Sequence, residues 1–144
     1  MSANHNLDFL NRLYKYVTTD IESIKLLIDK AKDPDQKNDL IAELQDYRNI
    51  AGTIELKLSE YQEAPKEIDT FTKTGLWSSV QLNTLMNQSS NHIAQMIIKG
   101  DETRIYTLEK DMKDHPDIDS DVREIGVSLL MAEKNHKEHM RYYL

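Results

Sequence analysis

The sequence predicts an all-α domain built as a four-helix bundle, and three observations carry that expectation. Apolar residues recur at alternating spacings of three and four along four stretches, the period of a helix face turned toward a core. Only four Gly and three Pro occur in 144 residues, too few to punctuate a chain of short strands. With 39% apolar and 30% charged residues, the composition suits long amphipathic helices around one core, as a single domain of this size can build.

The first helix is expected over about residues 6–32, where Leu7, Leu10, Tyr14, Val17, Ile21, Ile24 and Ile28 share one face. Asp33-Pro34-Asp35-Gln36 then reads as a stop and a restart: Asp33 caps, Pro34 takes the first helical position, and Gln36 can reach back to close a capping box. A second helix over 34–63 follows, carrying Leu40, Leu44, Tyr47, Ala51, Ile54, Leu58 and Tyr61 until Ala64-Pro65 ends it. The two make an antiparallel hairpin. Residues 63–76 form the one long connection, able to span roughly 46 Å when extended, so it can either cross the bundle or turn back at one end. If it turned back, His5 would share an end with His92 and His136; a crossover would separate them.

A third helix is expected over 78–112, opened by Ser78 with Gln81. Its stripe is irregular. Leu82, Met86, Ser89, Ile93 and Met96 define one face, whereas Ile105, Leu108 and Met112 lie about 100° around from it, a slip of one residue near Gly100-Asp101-Glu102. Either a π-bulge there turns Glu102 inward, or Gly100 kinks or ends the helix. The fourth helix, 118–143, carries Ile118, Val122, Ile125, Leu129, Ala132, His136 and Met140 on one stripe.

Composition removes several functional classes. Without Cys there are no disulfides, thiolate metal sites or cysteine nucleophiles. The net charge of -7, with no basic cluster, gives no footprint for nucleic acid or an anionic membrane. No apolar run is long enough to span a bilayer, and no leader pattern opens the chain, so a cytoplasmic location is expected. No phosphate-binding glycine loop or nucleophile elbow can be read.

Two hairpins joined by a crossover, together with the stretch Ser90-Asn91-His92-Ile93-Ala94-Gln95-Met96-Ile97-Ile98-Lys99-Gly100 and an acidic fourth helix, resemble the ferritin-like superfamily, in particular its small uncharacterised bacterial four-helix proteins. The resemblance implies a ferritin-like four-helix bundle. Metal-binding members use a Glu from each of two helices and Glu-x-x-His from each of the other two. Here Glu133-Lys134-Asn135-His136 matches one such pair, and the likeness makes Glu133 and His136 ligands, with Glu102 and Asp20 completing a reduced set for iron, manganese or zinc. The second helix departs from the pattern, since Glu43-x-x-Asp46 and Asp46-x-x-Asn49 carry no histidine. Asp20 also admits an ion pair with Arg48, level with it across the first hairpin.

A second metal arrangement uses the imidazoles of His92, His136 and His139, which antiparallel packing of the last two helices would bring to one level. The preferred reading is nonetheless a non-enzymatic bundle that acts through a protein partner, most simply a second copy of itself as a homodimer, because Leu26, Ile41, Ile50 and Leu130 widen the apolar faces beyond one seam.

Overall fold

The computed structural model describes residues 2–85 and 87–144 and is helical throughout its regular structure, with no strand among them. Five helices occur: α1 (Ser2–Lys30), α2 (Pro34–Glu60), α3 (Thr70–Thr84), α4 (Ser90–Asp114) and α5 (Ser120–Met140), followed by a 3-10 turn, Arg141–Tyr143. Among the described residues, no helix is long and apolar enough to cross a membrane.

The first hairpin forms as its sequence dictates. Asp33 accepts hydrogen bonds from the backbone N–H groups of Asp35 and Gln36, with Pro34 in the first turn of α2. Gln36 does not complete the capping box: it is fully buried, and its Nε2 donates to the Ser90 carbonyl at 2.8 Å, tying the start of α2 to that of α4. α2 stops at Glu60, short of the expected 63, because Gln62 adopts a left-handed conformation (φ 60°) and Glu63 N–H closes back on the Leu58 carbonyl.

The largest departure is in the expected third helix, which is two helices. Asp69 caps α3 through Thr72 N–H, so the segment read as a 63–76 loop is helical from Thr70, and Ser78 lies inside α3 rather than at its start. Asn87 then accepts from Ser89 N–H, and Ser89 caps α4 through His92 N–H at 3.2 Å. Ser89 is thus a boundary, and Leu82 and Ile93 do not share a helix; Met86 lies outside the described residues. Within α4 the helix is regular through Gly100, with neither a bulge nor an end there. Its buried face is Ile93, Ile97, Asp101, Leu108 and Asp111. The slip vanishes once Asp101 is counted as an inward position.

Contacts at the two ends fix the chain path. At one end, His5 pairs with Asp117, Asn6 donates to the Tyr61 hydroxyl, and Lys57 pairs with Asp121. At the other, Gln36 meets Ser90 and the Met140 sulfur, and Tyr143 donates to Asp39. The chain therefore leaves α2 at one end and enters α4 at the other, with α3 lying along α1 between, tied by Lys30 Nζ to Gln81 Oε1 at 2.8 Å. His5 is consequently remote from His92 and His136.

The interior is apolar over most of its length, from Phe9, Leu10 and Leu13 to Leu40, Ile54, Leu108 and Leu129, all fully buried. At Gly126 α5 approaches α1 so closely that a Cβ would stand 2.9 Å from the Phe9 ring. Near mid-length that interior changes character, and each of the four long helices turns one carboxyl side chain toward its neighbours.

Candidate functional site

The four carboxyls interrupt otherwise apolar stripes: Asp20 between Val17 and Ile24, Glu43 between Leu40 and Tyr47, Asp101 after Ile97, and Glu133 after Leu129. A carboxyl at such a position follows its helix inward whether or not it is solvated there. Glu133 is 1% exposed, Glu43 2% and Asp101 6%, and the Asp20 side chain is largely buried. Burying four carboxylates without matching cations is strongly unfavourable. Among the described residues, one cation pairs directly with this group. Arg104, one turn beyond Asp101, places Nη2 3.2 Å from Asp20 Oδ1 and stacks its guanidinium 4.4 Å over the Tyr16 ring, while Tyr16 donates to Asp111.

The hydrogen bonding leaves a conspicuous deficit. Tyr47 donates to Glu133 Oε2 at 3.0 Å. Two of the carboxyls could bond to each other only if one of them carried a proton. As carboxylates, Asp20 Oδ2, Asp101 Oδ2, Glu133 Oε1 and both oxygens of Glu43 are buried with no donor. The deficit shows in proton affinity. Burial first, then the charges and hydrogen bonds of Asp20 and Asp101, push Glu133 far above the usual carboxylate range. Burial, with the charges of Asp101, Asp39 and Asp46, raises Glu43 to about 9, and burial raises Asp101 to about 7 against the opposing hydrogen bond from Glu133. Burial alone would lower Arg104, but the charge and hydrogen bond of Asp20 more than offset it.

His136 borders this group. It is 2% exposed, packs edge-on against Tyr47 with ring centroids 4.9 Å apart, and its Nε2 donates to Asp46 Oδ2 at 3.0 Å, at a carboxylate that is 58% exposed. That bond selects the tautomer protonated on Nε2, so the buried Nδ1 keeps a lone pair with no donor. Burial lowers the imidazole's proton affinity, and Asp46 only partly opposes it.

Of the residues singled out from sequence, Asp20, Glu133 and His136 do lie in this region. Glu102 does not: its side chain is 56% exposed and pairs with Lys137 at 3.5 Å, because regular α4 turns Asp101 inward in its place. Asp20 pairs with Arg104 rather than Arg48, which is exposed. The three imidazoles do not form a site, since His92 Nε2 donates to the Asn83 carbonyl at 2.6 Å and His139 is exposed. Sequence reasoning missed Asp101, Glu43 and Arg104 as members. For Asp101 and Glu43 the signal was present, as carboxyls standing where the apolar period requires a buried residue.

The donor set does not suit a dinuclear centre. α2 supplies no histidine, Asp46 faces solvent, and a guanidinium already stands beside Asp20. Among the described residues, no three Asp, Glu or His side chains are already disposed to hold a metal ion. Compared with known proteins, the chain matches no family model, no curated protein and no solved structure.

The raised proton affinity of Glu43 fixes a sign for pH dependence. Between its ordinary 4.5 and about 9, the folded state binds a proton that the unfolded state has released. Its contribution is complete below 4.5 and is lost as pH rises through about 9, so stability falls across that window. Thermal unfolding of chelator-treated protein should therefore give a falling midpoint toward alkaline pH. Glu43→Gln should flatten the fall and gain about 3 kcal/mol at its alkaline end, the scale of an unpaired buried charge. A wild-type profile level across the window would contradict the assignment.

Proposed function

We propose that the chain is a cation-binding helical bundle with a binding rather than a catalytic role, in which a divalent metal ion takes the place of protons among Asp20, Asp101 and Glu133, with Glu43 and His136 at its border. The observation that carries this reading is that all four long helices send a carboxyl into one core region, where each keeps at least one buried oxygen without a donor. Oxygen ligands with one imidazole suit manganese, iron or zinc, and affinity should rise with pH because metal and protons compete for the same carboxylates. A mononuclear ion requires the side chains to reorient from the positions they occupy here. The fold that accompanies this reading is a ferritin-like bundle of two antiparallel hairpins joined by a crossover, supported by the end-to-end pairings that separate the exit of α2 from the entry of α4.

Elemental analysis of tag-free protein reconstituted with manganese, iron and zinc tests the proposal. About one equivalent of metal is expected, with thermal stabilisation of about 3 kcal/mol at a hundredfold excess over Kd. Asp101→Asn with Glu133→Gln should abolish both, and Glu102→Gln should change neither. Substoichiometric metal with no thermal shift would reject it.

A second reading, self-association, is favoured by a different surface from the one expected. Leu26, Ile50 and Leu130 pack against the core, leaving only Ile41 of that set exposed. Phe71 and Leu82 of α3 and Leu85 just after it, however, are exposed large apolar side chains, with Phe71 89% exposed. If a second copy covers them, sedimentation should report a dimer that Phe71→Ser with Leu82→Ser converts to monomer. A wild-type monomer at high concentration would remove this reading.

A further inference from the structure

The acidic group is reached by a cavity that the cation proposal does not use. α3 packs principally on α1, and the space between α1, α3 and α4 holds a cavity of about 500 Å³. That volume lies within the usual range for small-molecule sites. Its walls are mixed: Ile24 and Leu27 of α1, Leu76 and Val80 of α3, and Met96 and Ile97 of α4 form the apolar part, and Thr19, Ser23, Ser79 and Asn83 a neutral polar part. Asp20 and Asp101 line it as well, together with Arg104 and the Tyr47 ring.

We propose that this cavity binds a small organic amine, its ammonium held by Asp20 and Asp101 and its apolar body lying between α1, α3 and α4. The argument rests on charge and hydrogen-bonding capacity. Asp101 is 6% exposed, and it and Asp20 each retain a buried oxygen without a donor, whereas an ammonium offers three donors and a positive charge. An anionic ligand fits less well: Arg104 is already engaged by Asp20 and stacked on Tyr16, and the other cavity cation, Lys99, stands exposed at the rim. The apolar part of the wall favours a ligand with a hydrocarbon body over a free polyamine, which would leave that part facing water. His92 to Asn83 and Lys30 to Gln81 tether α3 to α4 and α1, so the roof of the cavity is a held element rather than a loose strand.

The proposal does not depend on metal uptake and is tested on the full chain treated with chelator. Titration with n-hexylamine, hexan-1-ol and hexanoate, followed by calorimetry and methyl NMR, separates the ligand chemistries at constant chain length. The amine is expected to bind at least about tenfold more tightly than either comparator, a difference of about 1.4 kcal/mol. It should shift the methyl signals of Ile24, Val80 and Ile97 and weaken at least about tenfold in Asp101→Asn and in Leu76→Trp, which fills the cavity from α3. Equal or tighter binding of hexanoate or hexanol, or amine binding that leaves those methyls unmoved, would overturn it. Should a variant fail to fold, the ligand ranking and the methyl map on the wild-type chain decide alone. Metal uptake without amine binding would sink this inference and spare the cation reading; amine binding without metal uptake would do the reverse.

Discussion

Four carboxyls held inside an apolar bundle with one guanidinium paired to the group set the terms for the rest of this molecule. At neutral pH, full ionisation would leave about three uncompensated charges at low dielectric, a cost no core of this size could carry without relief. Protons relieve it, which is why Glu133 and Glu43 hold theirs far above the ordinary carboxylate range. A cation could relieve it as well. The cation reading turns on which of these occupies the space between Asp20, Asp101 and Glu133.

The scaffold around that group is conventional in its physics. Apolar stripes above and below the carboxyls supply the burial that stabilises the helices, and Asp33, Asp69 and Ser89 satisfy helix N-termini where the chain changes direction. Gln36, Asn6 and Lys57 join elements distant in sequence at the two ends. The exception is α3, which carries exposed large apolar side chains and whose inner face roofs the cavity over Asp20 and Asp101. Removing α3 would open the acidic group to solvent. This connecting segment therefore has as much bearing on function as the four longer helices.

The helical architecture was legible because apolar spacing reports directly which residues face inward. The same method hid the site. Counting only apolar positions, α4 shows a gap at Asp101 that mimics a one-residue slip, and the correction that reading invites rotates Glu102 into the core in error. Asp20 was recognisable as a carboxylate beside the core, but its partner depends on which helix faces α1 at that level, so Arg48 and Arg104 could not be told apart. The break at Asn87-Gln88-Ser89 was written in residues that compete with helix through their side chains, yet the surrounding apolar positions suggested continuity. Asp69 gave no apolar signal at all, and the first half of α3 was accordingly read as part of the connection. Glu133 and His136 were found because a spaced pair of ligand types is visible without knowing the packing.

The most direct test is a carboxyl-carbon NMR titration of metal-free protein with labelled Asp and Glu side chains. Glu43 and Glu133 should remain protonated at neutral pH, well above the range of about 4 in which an unperturbed carboxyl titrates. If all the carboxyls released their protons together in that ordinary range, the buried acidic core, and the functional readings built on it, would be contradicted.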